Sequence, residues 1–157
     1  MTVYLAAHFS RKNEVRAAAK ELKELGIDVV STWHREKIAS NSVMHANNAR
    51  TWRKNALSDL NELCDCTHFV LFSMGPHKKF SRGSHCWEAG FASARGVKCL
   101  VVGERQVIFH YLPGEKICKT WAAAKRYLKK EFQNEQHTES NPPSYAPFGL
   151  KDYDADQ

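Results

Sequence analysis

Two acidic residues stand where this chain has most reason to do chemistry. Glu88 lies in the stretch SRGSHCWEAGFASARG, residues 81–96, between Trp87 and Ala89, with Gly90 just behind it. Glycine inside a helix costs about 1 kcal/mol against alanine. Keeping both features points to a wanted carboxylate with a close backbone approach beside it. The plainer reading is that Glu88 complements the positive end of a helix, a contribution of roughly 0.3–1 kcal/mol. Asp59 is the second acid. It lies three residues after Ala56 and four before Leu63, so it borders an apolar helical face, while Ser58 and Glu62 point more outward. An acid on a half-buried face needs a partner or a job, and a hydrogen-bonded structural aspartate is one such reading. Taken together, paired carboxylates at the ligand edge of a sheet suit work on a glycosidic bond. One can attack the anomeric carbon while the other helps with proton transfer or positioning.

The elements that must position these acids follow from hydrophobic periodicity. VYLAA at residues 3–7 is a short buried strand. Ser10 can cap a helix whose Val15, Ala18, Ala19, Leu22 and Leu25 share one face, ended by Gly26. Residues 27–32 form a second strand and 33–45 a long polar loop. A helix over about 47–63 aligns Ala49, Trp52, Ala56, Leu60 and Leu63. Residues 68–73 are a third strand, followed by a loop and then the Glu88 helix, with Gly83 and Ser84 at its start and Trp87, Phe91 and Ala94 facing a core. Residues 98–102 form a fourth strand and VIFHY, from Val107, a fifth. A last amphipathic helix runs from Thr120 to Phe132 through Trp121, Ala124 and Leu128.

Strands alternating with helices imply an α/β fold with a parallel sheet. Ligands bind outside the carboxyl ends of such strands. That rule selects His8 to Lys12, the 33–45 loop, Ser73 to Ser84 and the residues from Gly103 onward.

The 157 residues fit one domain, read as 1–133, with an acidic, proline-containing tail over 134–157 that is ordered only if it docks, for instance on a neighbouring subunit. The N-terminus places its charges after its apolar run, the reverse of a secretory signal, and no apolar run approaches the roughly 18 residues of a membrane span. Five cysteines at irregular spacing argue against a disulfide framework and for a reducing, cytoplasmic compartment. A zinc site from Cys64, Cys66, His85 and Cys86 matches no common ligand spacing, so no metal or other cofactor is expected. Net charge is +6, and the tail holds Glu135, Glu139, Asp152, Asp154 and Asp156 against Lys151, so the body is more basic still. Such a body attracts anions. No nucleic-acid motif accompanies the charge, so a phosphorylated small molecule suits it as well as a polymer does.

Three blocks, VYLAA, SDLNELCDCTHFVLFS and GSHCWEAGFASARGVKCLVVG, together resemble the signature segments of nucleoside 2-deoxyribosyltransferases and the related 2′-deoxynucleoside 5′-phosphate N-hydrolases. The resemblance covers most of residues 3–103, with a looser echo through VIFHYLP. The glutamate followed by Ala-Gly, behind Gly-Ser, is its most specific part. It implies a flavodoxin-like sheet of about five strands with helices on both faces, and a dimer or larger assembly with active sites near subunit contacts. It implies Glu88 as the nucleophile that forms a covalent deoxyribosyl intermediate. Asp59 becomes an acid that contacts the sugar or assists the departing base, and Tyr4 a tyrosine near the nucleophile. Gly83 and Ser84 become the turn that lets backbone approach the sugar or its 5′ substituent. Core packing with a satisfied hydroxyl is the plain alternative for Tyr4. The chain departs from the pattern six residues before Glu88. Transferases acting on free nucleosides often carry a further acid there, and this chain has Arg82.

Arginine near the sugar's 5′ end favours a phosphate. Ser81 lies beside it. His8, Ser10, Arg11 and Lys12 add polar and basic groups at a helix start, although Arg11, Lys12 and Arg82 also read as solvated surface charge. His34, His77, His85 and His110 can touch a ligand, but eight histidines single out none. The expectation is an enzyme acting at the N-glycosidic bond of a nucleoside or, better, its 5′-monophosphate. The alternatives are a nucleotide-binding sensor whose chemistry has lapsed, and a basic nucleic-acid-binding protein.

Overall fold

A computed structural model describes residues 1–35, 49–74 and 83–138. Five parallel strands form its sheet: β1 (Thr2–Ala7), β2 (Asp28–Val29), β3 (His68–Phe72), β4 (Lys98–Val102) and β5 (Lys116–Cys118). Their spatial order is β2-β1-β3-β4-β5, and every pairing is parallel. This is the flavodoxin-like, doubly wound order. Four helices complete the frame: α1 (Lys12–Glu24), α2 (Ala49–Asp65), α3 (Ser84–Ala94) and α4 (Trp121–Thr138). No helix among the described residues is long and apolar enough to cross a membrane.

Strand alternation sorts the core into two layers. Val3 and Leu5, Val70 and Phe72, and Leu100 and Val102 face Val15, Ala18 and Leu22 of α1 and Ala124 and Leu128 of α4. Tyr4 and Ala6, Phe69 and Leu71, and Cys99 face the other way, toward Leu63 of α2 and Ala92 of α3. Fully burying one such aliphatic side chain contributes roughly 1.5–3 kcal/mol. The expected faces of α1 and α4 are therefore the buried ones. Helix α4 runs on to Thr138, past the expected helix end at Phe132, and Glu135 lies 3.2 Å from the N-terminal amine.

Four expectations are corrected. The second strand, expected over 27–32, pairs only at Asp28–Val29. Beyond it side chains take over the ladder: Ser31 Oγ accepts from Leu5 N at 3.0 Å, and Trp33 Nε1 donates to Leu5 O at 2.7 Å. The stretch VIFHY is no strand. Ile108–Tyr111 is a 3-10 turn in which only His110 is buried, and the fifth strand is Lys116–Cys118. Helix α3 is rotated from its expected setting. His85 and Ala92 are buried and Phe91 packs partly against the core as expected, while Ala94 is exposed and Trp87, 59% exposed, stacks on Phe91 with ring centroids 5.5 Å apart. Of the expected α2 stripe only Leu63 is buried; Ala49 and Ala56 are exposed, and Trp52 is half-buried.

Candidate active site

Tyr4 sits in the middle of β1 on the α2–α3 face, wholly buried, its ring stacked on Phe69 at 5.8 Å. Its hydroxyl finds no hydrogen-bond partner among the described residues. A buried orphan hydroxyl costs about 1–3 kcal/mol, so packing alone does not account for a tyrosine where phenylalanine fits. Burial raises its pKa well above the ordinary phenol range, and the charges of Glu88, then Asp59, then Glu62 raise it further. Tyr4 therefore stays a hydrogen-bond donor at any working pH.

In the setting of α3 that exposes Trp87, Glu88 is close enough for its charge to act on this hydroxyl. Glu88 is the fifth residue of α3, and the first turn carries no acid. Interaction with the helix dipole falls off within the first turn, so end-capping does not explain it. Burial, and next the charge of Asp59, push the Glu88 carboxyl up to about 8. Strong perturbation by desolvation plus one specific charge partner marks functional sites. Glu88, Asp59 and Tyr4, which come from α3, α2 and β1, thus form one electrostatically coupled cluster. The expected close approach at Gly90 is absent: a Cβ there would meet nothing within 4 Å, and Gly90 opens onto a groove.

Around the cluster the loops at the carboxyl edge are tied together. His8 follows β1. Its Nδ1 accepts from Ser10 N at 3.3 Å and lies 2.8 Å from Ser10 Oγ. A backbone N–H only donates, so Nδ1 is the acceptor and the other ring nitrogen carries the proton. His85, in the first turn of α3, is buried. Burial lowers its pKa, the nearby His8 lowers it further, and a hydrogen bond with the Gln106 side chain opposes both. Gln106 Oε1 also accepts from Met74 N at 3.4 Å, and Gln106 N donates to His110 Nδ1 at 3.1 Å. Gln106 thus joins the end of β3, the start of α3 and the 3-10 turn after β4, a role no sequence signal announces.

The expected phosphate-binding group divides. The Arg11 guanidinium donates to both carboxylate oxygens of Glu14, at 2.8 and 2.6 Å, and to Ser73 O at 2.5 Å, above the Phe72 ring. It latches α1 to the end of β3. The Lys12 ammonium lies 4.6 Å from the Phe9 ring centroid. Gly83, at φ 80°, opens α3, with Ser84 exposed beside it. The expected residues Ser81, Arg82 and His77 lie outside the described residues. Glu62, read from sequence as outward-facing, instead clamps the chain after β2 by accepting from Thr32 N at 2.9 Å and Thr32 Oγ1 at 2.5 Å. Cys64, Cys66, His85 and Cys86 do not assemble: among the described residues no group of three His, Cys, Asp or Glu side chains is placed to hold a metal ion. All five cysteines are free thiols.

No family model matches the chain, and no curated protein matches it. Among solved structures it is similar to Clostridium botulinum CMP N-glycosidase, BcmB, at 21% identity and a TM-score of 0.49, over 83% of this chain and 99% of that one.

The cluster couples two partly desolvated carboxyl groups electrostatically and brings a neutral, buried hydroxyl under the influence of both. Those are the requirements for handling a cationic, oxocarbenium-like centre.

Proposed function

We propose that the chain cleaves or transfers at the N-glycosidic bond of a nucleoside or nucleoside 5′-monophosphate, with Glu88 as the nucleophile. The observation that carries this reading is the largely desolvated Glu88 carboxyl, raised to about 8 with Asp59 adding to the shift, and its influence on a buried Tyr4 hydroxyl with no partner among the described residues. Once ionised, a poorly solvated carboxylate is a strong nucleophile, and the Tyr4 hydroxyl, with no partner among the described residues, is a donor left over for the reacting groups. As the glycosidic bond breaks, the sugar's anomeric carbon becomes electron-poor. Glu88 forms the ester bond there, the pair of electrons from the broken bond leaves with the base, and Asp59 assists proton delivery or holds the sugar. Water or an acceptor base then breaks the ester. A 2′-deoxy sugar forms the cation more readily and is the favoured substrate. Arg82, with Ser81, Gly83 and Ser84, is assigned to the 5′ end, and a phosphate there matches a guanidinium. Arg11 is withdrawn from that role, since Glu14 compensates its charge and Glu14 and the Ser73 carbonyl take three of its five N–H donors.

The proposal includes a homodimer and a compartment that keeps thiols reduced. Trp87, Ile108 and Phe109 are 59 to 78% exposed around an apolar groove of about 840 Å³. Exposed apolar surface of that kind marks an interaction site.

The test is a panel of ribo and deoxy nucleosides and their 5′-monophosphates, scored for free base with and without an acceptor base. Base released without acceptor identifies a hydrolase, and base exchange a transferase. Tight binding without turnover of any member returns the chain to the sensor reading. Equal use of nucleoside and monophosphate removes the phosphate assignment of Arg82.

A further inference from the structure

At the β2 edge of the sheet, α1 and β2 enclose a second groove of about 510 Å³. It shares no residue with the Glu88 cluster, and α1 packs on the opposite face of the sheet from α2 and α3. Ala19, Ile27 and Val29 supply apolar lining. Arg16, Lys20, Lys23 and Arg35 supply charge, and Asp28 is the one acid of the lining. Arg16, Lys20 and Lys23 follow one another at helical spacing along α1, a stripe roughly 10 Å long. Like charges at that spacing destabilise a helix, so the stripe calls for a compensating partner.

The partner is not supplied internally among the described residues. Arg16 is held by neutral groups: its Nε donates to His34 O at 2.6 Å and its Nη1 to Asn13 Oδ1 at 3.3 Å. Its charge is therefore aimed without being neutralised. Lys20 has a 3.9 Å contact with Glu24, and no ion pair of Lys23 or Arg35 occurs among the described residues. A second observation comes from His34, which lines the same groove. Only 2% of it is exposed, yet its Nδ1 has no hydrogen-bond partner among the described residues. Burial lowers its pKa to about 4, with Arg35 and Arg16 adding to the effect. The unpartnered nitrogen, and weakly compensated cations next to the imidazole, suit a multiply charged anion whose arrival reorders this corner of the groove. The groove supplies positioned donors from Arg16 and exposed ones from Arg35 and the lysines.

We infer that this groove binds a nucleoside di- or triphosphate at a site separate from the Glu88 cluster. Linked phosphoryl groups follow the stripe from Lys23 toward Arg35, and the base lies on the apolar lining of Ala19, Ile27 and Val29. The volume is that of a small-molecule site and the stripe ends after two turns, which favours a nucleotide over an extended nucleic-acid strand.

Calorimetric titration of the full chain tests the inference without reference to turnover, so its outcome is independent of the proposed reaction. The probes are adenosine 5′-triphosphate, inorganic tripolyphosphate and a single-stranded DNA oligomer. The parent binds the first two, the nucleotide more tightly, and Glu88→Gln binds tripolyphosphate as the parent does. The double variant Lys23→Gln/Arg35→Gln changes exposed side chains only and binds tripolyphosphate about tenfold more weakly or worse. In the parent, NMR signals of the His34 ring and the Lys23 and Arg35 amides shift on adding tripolyphosphate. The inference is overturned if the parent binds neither phosphate probe, if the double variant binds like the parent, if the His34 signals stay still, or if only the DNA oligomer binds.

Discussion

Glu88 connects stability and activity through a single proton. Its carboxyl is raised from 4.5 to about 8 by burial and then by Asp59, so the folded chain binds this proton more tightly than the unfolded chain does. Stability from that proton is complete below the ordinary carboxyl value and is lost as pH rises through about 8. Denaturant titrations at pH 5 and pH 9 should show the parent losing stability while Glu88→Gln stays nearly level. The loss should be at most a few kcal/mol, since each tenfold difference in proton affinity between folded and unfolded chain contributes roughly 1.4 kcal/mol. Turnover should move oppositely. A nucleophile must be ionised, so kcat/KM should climb with pH toward a plateau above about 8, and Glu88→Gln should lose several orders of magnitude while staying folded. A profile that falls above 8 would reassign Glu88 as the proton donor, and a folded Glu88→Gln with parental turnover would end the covalent mechanism. Tyr4 offers the complementary measurement. Tyr4→Phe removes an orphan hydroxyl, so the melting temperature should hold or rise, by the equivalent of about 1 kcal/mol, while kcat falls about tenfold or more. Parental kcat in Tyr4→Phe would reduce Tyr4 to a packing residue.

At the scale of elements, the three groups of the cluster come from three separate elements, and latches hold those elements in place. Glu62 ties α2 to the chain after β2, Gln106 ties α3 to the ends of β3 and β4, and Arg11 ties α1 to β3. Arg11 is the latch that separates a structural role from a ligand role. Its carboxylate fork and carbonyl bond are charge-assisted and half-buried. Arg11→Ala should cost about 1.5–3 kcal/mol in chemical denaturation, with the KM for a 5′-monophosphate unchanged. A rise in KM without loss of stability would restore Arg11 to the phosphate site.

For the whole molecule, the groove beside α3 follows from what joins β4 to β5. A doubly wound sheet covers each face with crossover helices, but here Ile108–Tyr111 makes only a 3-10 turn. That leaves Trp87 at 59% and Phe109 at 66% exposure at the groove. A second copy covering this surface is the expected arrangement. Light scattering should give a dimer for the parent and a monomer for Trp87→Arg/Phe109→Glu, because charges buried in an apolar contact without partners strongly oppose it. A monomeric parent at working concentration would remove the homodimer.

Much of this is legible in the order of residues alone. Period-two and period-3.6 patterns identify β1, β3, β4, α1 and α4, since core burial selects residue type at every turn of such elements. Glu88 and Asp59 stand out because an acid beside apolar positions is costly without a reason. Tertiary structure decided the rest. Ser31 and Trp33 end β2 by taking over the polar groups of Leu5, a competition between side chain and ladder that no local pattern records. The apolar stretch VIFHY becomes an exposed turn, because a neighbour to pair with is a property of the sheet and not of the segment. Periodicity misplaces Trp87 for the same reason. Hydrophobicity tells how many faces α3 has to bury, but the small Ala92 and the buried His85, linked to Gln106, choose which face meets the sheet. That rotation, and not the presence of the glutamate, is what brings the carboxyl of Glu88 under the influence of Asp59 and up to about 8. Composition supplied the acids; desolvation and proximity, which exist only in the folded chain, set their chemistry.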